Sequence, residues 1–268
     1  MAEAFLKWAG GKKWFINNEF HRLPDVDSFN RYIEPFLGGG SVFFHLEPAV
    51  SLLSDYNQEL IRTYIALRDS FENLYELLEA HQRNNSKEYY YEIRKLEPKD
   101  HVEAAARMIY LNKACFNGIY RVNKKGKFNV PYGSYRSITF DFQKLKKASN
   151  ALKNAEIVAR EYNLSIDEAE EGDFVFCDPP YALKTAESFV GYNANTFGWE
   201  DQIKLAESLQ RAAEQGVKVM VTNVDAPEVR ALYNEATFSI DMVSRKCTIA
   251  GGNAGRKEYP ELIATANI

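Results

Sequence analysis

The chain has 268 residues, 46% hydrophobic and 26% charged, which suits a globular protein with one sizeable core or a core plus a smaller attached module. Disordered, collagen-like and mucin-like classes are excluded. No apolar run approaches the roughly 18 to 20 residues of a membrane helix, and the start, MAEAFLKWAGGKKW, lacks a secretory h-region, so a cytoplasmic protein is expected. Cys115, Cys177 and Cys247 are widely spaced without a CxxC pair, and His21, His45, His81 and His101 form no HxH or HxxxH pattern. Neither a disulfide framework nor a metal site is expected.

The total charge is −4, but residues 112–153 hold ten bases against one acid, Asp141, a local net of +9. An asymmetry of this kind marks an electrostatic footprint for a polyanion. A solvated lysine face is the alternative.

In chain order, residues 31–36 (RYIEPF) and 50–54 (VSLLS) are predicted as short buried strands, with a glycine turn and a short helix (GGGSVFFHLEP) between them. This is a βαβ opening. The alternation then breaks. Helical patterns are expected at 57–82, 86–97 and 101–115, followed by GIYRVNKKGKFNVPYGSYR, in which NKKGK reads as a hairpin between short β-like pieces. Strands resume at 156–160, 173–177, 217–222, 236–243 and 259–265. A helix at 200–214 has Glu200 and Asp201 in its first turn and stops at Gly216. The pattern predicts an α/β fold with a mostly parallel sheet, formed by residues 1–56 and 154–268, and an inserted helical domain at 57–153 that carries a basic hairpin.

Three motifs carry chemistry. Asp178-Pro179-Pro180-Tyr181 ends the apolar strand FVFC. Two prolines fix the backbone and remove two N–H donors, leaving a carboxylate and carbonyl acceptors in a rigid array before an aromatic face. Such an array suits a planar group bearing an NH2, at the carboxyl end of a strand where α/β sheets bind ligands; a strand-ending turn with a surface tyrosine is the alternative. The second motif is Glu34-Pro35-Phe36-Leu37-Gly38-Gly39-Gly40. Its glycines allow close approach of a ligand, but Phe43 occupies the third glycine position of a dinucleotide fingerprint. With Asp55 at the end of the next strand, placed for ribose hydroxyls, it reads as a nucleoside-type pocket without a pyrophosphate cradle. The third, Phe5-Leu6-Lys7-Trp8-Ala9-Gly10-Gly11-Lys12, fails as a P-loop because Leu6 stands where the first glycine belongs. It can bracket a carboxylate-bearing ligand, or equally be an arm that packs its Trp.

In combination, FLKWAGGK, EPFLGGGS, SDYN, FNGIYRVN, FNVPYGSY and DPPY, in that order, resemble the Dam-type DNA adenine-N6 methyltransferases (D12 class, α-group). The resemblance runs from about residue 4 to 265. It implies a Rossmann-like S-adenosylmethionine-dependent methyltransferase sheet with an inserted DNA-recognition subdomain. It implies that Trp8, Lys12, Phe36, Gly38, Gly40, Asp55 and Asp178 surround S-adenosylmethionine, Asp55 at the ribose and Lys12 at the methionine end, with Tyr162 as a further candidate beside the cofactor adenine. Asp178, Pro179, Pro180 and Tyr181 become the catalytic set.

The resemblance also implies that Lys7, Phe116, Asn117, Ile119, Arg121, Pro131 and Tyr135 read DNA. Arg suits bidentate contact with guanine, and Asn, Ile and Tyr can wedge or stack where a base leaves the helix. Lys124, Lys125 and Lys127 on the hairpin are expected at phosphates, as are Arg256 and Lys257 in SRKCTIAGGNAGRKEYP. Arg121, Pro131 and Tyr135 suggest the target GATC, with Ser134 and Arg136 able to alter the outer bases read. Cys177 is expected to be a buried structural thiol. A monomer acting on double-stranded DNA is expected, and an accompanying restriction enzyme need not bind it. Competing readings are a methyltransferase of RNA or of cytosine N4, and a DNA-binding relative without activity; a NAD-dependent enzyme is more distant.

Overall fold

The computed structural model describes all residues except 119, 124–125, 134–136, 182–196, 234 and 247–257. Among the described residues, seven strands form one sheet: β1 (Tyr32–Glu34), β2 (Ser51–Asp55), β3 (Ala155–Ala159), β4 (Phe174–Cys177), β5 (Lys218–Val224), β6 (Ser239–Lys246) and β7 (Glu258–Ala266). Their order is β3-β2-β1-β4-β5-β7-β6. The pairs β2/β3, β1/β4 and β4/β5 are parallel, whereas β7 runs antiparallel to both β5 and β6. This is a Rossmann-like α/β sheet, mostly parallel, as expected. The helices are α1 (Lys13–Asn18), α2 (Ser41–Leu46), α3 (Gln58–Asp69), α4 (Phe71–Asn84), α5 (Lys87–Lys95), α6 (His101–Ala114), α7 (Phe142–Ala151), α8 (Tyr162–Ile166), α9 (Trp199–Glu214) and α10 (Pro227–Arg230).

The chain forms two compact units, one of Met1–Phe20 with Leu37–Arg160, the other of His21–Phe36 with Glu161–Ile268. In the first, α6 packs against α3, α4 and α5. Its buried positions include Ala105, Met108, Ile109, Tyr110 and Leu111, so it is apolar nearly all round, as a central helix must be. Asp100 caps it by accepting from the Val102 and Glu103 N–H groups. Asn57 and Ser86 cap α3 and α5 in the same way.

The run expected as one helix over 57–82 is two. At Ser70 the backbone leaves helical geometry (φ −132°, ψ 37°). Its N–H closes α3 on the Ala66 carbonyl, while its own carbonyl accepts from Leu74 to open α4. The new direction buries Phe71, whose ring meets Phe142 edge-on at 5.3 Å. Phe142 belongs to α7, a helix that the sequence patterns did not announce; Asp141 caps it through the Lys144 N–H.

On either side of residues 124–125 the chain pairs with itself. Val122 bridges Phe128, Asn129 N–H donates to the Arg121 carbonyl, and Asn123 N–H donates to the Lys127 carbonyl. In the second unit, β4 and the middle of β5 (Val219, Met220, Val221) are fully buried. Such continuous apolar strands belong to the covered centre of a parallel sheet, and they hold the carboxyl end of β4 rigid where Asp178 follows.

Candidate active site and nucleic-acid interface

The turn after β4 is held from outside. Proline has no N–H, so Pro179 and Pro180 cannot fix their turn by donating, and neighbouring side chains donate to it instead. Thr222 Oγ1 donates to Asp178 Oδ1 at 3.0 Å. Gln202 Nε2 donates to the Pro180 carbonyl at 3.1 Å, and Gln202 Oε1 in turn accepts from Asn223 Nδ2 at 3.0 Å. Tyr181, 41% exposed, donates its hydroxyl to Glu261 Oε2 at 2.8 Å, and Glu261 is buried. The Tyr181 ring is thus tethered at its far end with part of its surface open. Asp178 is half-buried, Pro179 buried and Pro180 exposed. Cys177 is fully buried, and burial first, then the neighbouring Asp178 and Glu34 carboxylates, push its thiol pKa well up, as suits a structural thiol.

In the same unit Phe36 and Tyr162 stack on each other, centroids 5.2 Å apart and planes at 23°, and Phe197 stands edge-on to Phe36 at 5.6 Å. Tyr162 donates its hydroxyl to the Asp201 carbonyl at 3.2 Å, and burial pushes its pKa up to about 12. The pair forms an aromatic wall.

The other unit contains the remaining candidates near the glycine turn. Gly38 has φ +47°, in the left-handed region, and a Cβ on it would come within 2.8 Å of Trp8 Cδ1. Only glycine fits there without moving the indole. Its N–H donates to Asp55 Oδ2 at 3.0 Å, while Asp55 Oδ1 accepts from Asn57 N–H at 2.9 Å. Burial raises the Asp55 pKa, and these backbone donors oppose the rise. Gly40 precedes α2, and the Tyr64 hydroxyl donates to the Gly38 carbonyl at 3.0 Å. Lys12 is buried, with Nζ 3.3 Å from the Gly10 carbonyl.

Trp8 stacks on Tyr120, 4.9 Å apart at 21°. The Tyr120 hydroxyl donates to Glu59 Oε2 at 2.7 Å, and Arg107 Nη1 donates to Glu59 Oε1 at 3.3 Å. Asn112, in α6, accepts from the Lys7 N–H at 2.9 Å and donates to the carbonyls of Lys7 at 2.8 Å and Gly118 at 3.3 Å. Gly118 has φ +66°, and a Cβ there would fall 2.3 Å from Lys7 Cδ. One side chain therefore clasps the Lys7–Trp8 strip to the Phe116–Gly118 turn.

In that turn Phe116 is 55% exposed, Asn117 is left-handed at φ +59°, and Phe116 N–H donates to the Pro131 carbonyl at 2.9 Å. Phe116, Asn117 and Pro131 are therefore brought together, with Lys7 beside them. Arg121 is exposed, its Nε donating to Asn129 Oδ1 at 2.9 Å. Ile119, Lys124, Lys125, Ser134, Tyr135, Arg136, Arg256 and Lys257 lie outside the described residues. Part of the basic run is engaged by acids from other segments: Lys127 with Glu97, Lys144 with Glu3 and Lys146 with Glu72. Burial, then the charges of Lys7 and Lys144, lower the Lys113 pKa, so cations do crowd one another here.

Sequence reasoning missed Asn112, Tyr120, Thr222, Gln202, Asn223 and Glu261. For Asn112 a signal existed, a lone amide inside the apolar helix MIYLNKAC. The two amides Gln202 and Asn223, both fully buried, come together only once α9 covers β5.

Among the described residues, no helix is long and apolar enough to cross a membrane, and no group of three or more His, Cys, Asp or Glu side chains could hold a metal ion. The chain matches the family described as D12 class N6 adenine-specific DNA methyltransferase over residues 8–249. It is 36% identical to the Type II methyltransferase M1.LlaDCHI of Lactococcus lactis subsp. cremoris, over 97% of this chain and 94% of that protein. To the DNA adenine methylase of Vibrio cholerae serotype O1 it is 36% identical over 97% and 95%, and to that of Escherichia coli strain K12 33% over 97% and 94%. The match over most of the chain, together with the DPPY turn and the glycine turn beside Asp55, leads to one conclusion: the chain belongs to the D12 class of N6 adenine-specific DNA methyltransferases.

Proposed function

We propose that the protein methylates N6 of an adenine flipped out of duplex DNA, within GATC, using S-adenosylmethionine. The observation that carries this reading is the Asp178–Tyr181 turn, whose acceptors are oriented by Thr222 and Gln202. An adenine amino group offers two hydrogens and needs two acceptors. Gln202 donates to the Pro180 carbonyl, and the Asp178 carboxylate and the Pro179 carbonyl are the acceptors proposed for these hydrogens. These hydrogen bonds draw the nitrogen lone pair out of conjugation, and the part-open Tyr181 ring stacks on the base. Flipping costs a few kcal/mol, which recognition contacts must offset.

The residues present fit the cofactor. The Gly38 cradle admits no Cβ beside Trp8, Asp55 is an oriented carboxylate suited to ribose hydroxyls, and the Phe36–Tyr162 wall suits an adenine. Gly40, Lys12 and Asp178 complete the proposed set, Lys12 at the carboxylate of the methionine end. When bound, S-adenosylmethionine supplies a sulfonium-activated methyl group and leaves as S-adenosylhomocysteine.

Residues 57–153 form the proposed recognition domain. Arg121, Phe116, Asn117, Ile119, Pro131, Tyr135 and Lys7 read or wedge the target, and Lys124, Lys125, Lys127, Arg256 and Lys257 meet phosphates. The crowded Lys7, Lys113 and Lys144 support a polyanion surface. We further propose a cytoplasmic monomer.

The test is transfer of labelled methyl to unmethylated plasmid DNA, with the product sequenced for modified bases and Asp178→Ala as control. N6-methyladenine in GATC with the wild type and none with the variant is the expected result. Adenine methylation at other sites overturns the GATC assignment, and methylation by Asp178→Ala overturns the mechanism. Methyl transfer only to RNA or to cytosine replaces the reading with those substrates.

A further inference from the structure

We infer that Thr222 is a positioning residue for methyl transfer: its hydroxyl fixes the plane of the Asp178 carboxylate, so that the acceptors for the two amino hydrogens keep one geometry. This rests on the proposed adenine methylation and adds a residue to it. The sheet register explains the contact. Cys177 pairs with Val221 across the parallel β4/β5 ladder, so the residue after each strand partner, Asp178 and Thr222, come side by side. Thr222 Oγ1 lies 3.0 Å from Asp178 Oδ1 and 3.5 Å from the Cys177 carbonyl. The hydroxyl has one hydrogen to give, and the shorter distance assigns it to the carboxylate.

The setting argues for a role in orientation. Thr222 is fully buried and follows the apolar run Val219, Met220, Val221. An apolar side chain of the same shape would be cheaper to bury there, because burying a hydroxyl costs free energy unless it is hydrogen-bonded. Its partner precedes two prolines and so sits in a turn that cannot brace itself with its own N–H groups. Gln202 braces the other end of the same turn at Pro180, and Asn223 braces Gln202. Asp178 lies between these supports, and Thr222 bonds directly to its carboxylate. A carboxylate that swings about its last torsion loses alignment with the amino group, and small misplacements of this kind are expensive in rate.

The experiment compares wild type, Thr222→Val, which keeps the shape and loses the hydroxyl, and Thr222→Ser, which keeps the hydroxyl. Single-turnover methylation of a duplex is measured, with rates normalised to titrated S-adenosylmethionine sites so that misfolded protein does not count, alongside thermal melting. Thr222→Val is expected to melt at or above the wild-type temperature yet react about tenfold or more slowly, the loss of one hydrogen bond to a charged group. Thr222→Ser is expected to stay within about threefold of wild type. A Thr222→Val rate equal to wild type, or equal losses for Val and Ser, overturns the inference. A wild type that methylates no adenine overturns instead the reading on which it rests.

Discussion

Asn112→Leu tests the clasp between the Lys7–Trp8 strip and the Phe116–Gly118 turn. Leucine matches the branching and heavy-atom count of the amide but removes three hydrogen bonds, to Lys7 N–H, the Lys7 carbonyl and the Gly118 carbonyl. The Gly118 carbonyl is buried in that contact, so stranding it costs about 1–3 kcal/mol, and each part-buried Lys7 group about 0.5–1.5 kcal/mol. Burial of the leucine returns roughly 1.5–3 kcal/mol. The net loss is on the order of 2 kcal/mol, a drop in Tm of about 4–8 °C for a unit of this size. Because Trp8 is released from its place over Tyr120, affinity for S-adenosylmethionine and for duplex DNA should fall together, about tenfold each. Urea denaturation followed by tryptophan fluorescence, with two binding titrations, reads all three. Asn112→Asp keeps the acceptor for Lys7 N–H but turns a buried carboxylate oxygen toward the Lys7 and Gly118 carbonyls, so it should lose at least as much stability as the leucine variant. An Asn112→Leu variant as stable as wild type with both affinities intact would refute the clasp.

Three further outcomes follow from the geometry. Gly38→Ala places a Cβ 2.8 Å from the Trp8 ring at a left-handed φ, so it should cost about 1–2 kcal/mol in stability and weaken cofactor binding in a calorimetric titration. His81 stacks on Tyr110, its Nδ1 2.7 Å from the Tyr89 hydroxyl, and burial depresses its pKa to about 4. The unfolded chain takes up this proton near pH 6.5, so urea midpoints should fall as pH drops from 6.5 toward 4, and His81→Gln should flatten that slope. Tyr181→Phe keeps the ring and loses the bond to Glu261, so it should retain more methylation than Tyr181→Ala, which removes the stacking face; equal losses would contradict a stacking role.

The strands were legible because burial writes itself as apolar runs: FVFC and VKVMVT need no tertiary information to be recognised. The mostly parallel character of the sheet followed from alternation with helices. What was not legible depended on contacts across long separations. The break at Ser70 is decided by Phe71 finding Phe142, and α7 itself hides in a lysine-rich stretch that read as charge rather than as a helix capped by Asp141. In the candidate site, Asp178 and Asp55 stand out as acids at strand ends. Thr222 and Gln202 look unremarkable until register and helix packing bring them to the same turn. The net +9 of residues 112–153 overstated the free charge, because Glu3, Glu72 and Glu97 come from outside that window.

The clasp also constrains how target preference can be re-engineered. A graft that replaces only the hairpin, with a splice point between Asn112 and Gly118, would separate the amide from the carbonyl it holds and set a foreign turn against Lys7. A chimera that takes its proposed recognition segment from a relative should carry residues 112–133 as one piece and import the donor's counterparts of Lys7 and Trp8 with it, although Lys7 lies 105 residues from Asn112 in the chain. On the recognition role proposed for residues 112–133, the unit that sets sequence preference is discontinuous, and its smaller part is Lys7 and Trp8.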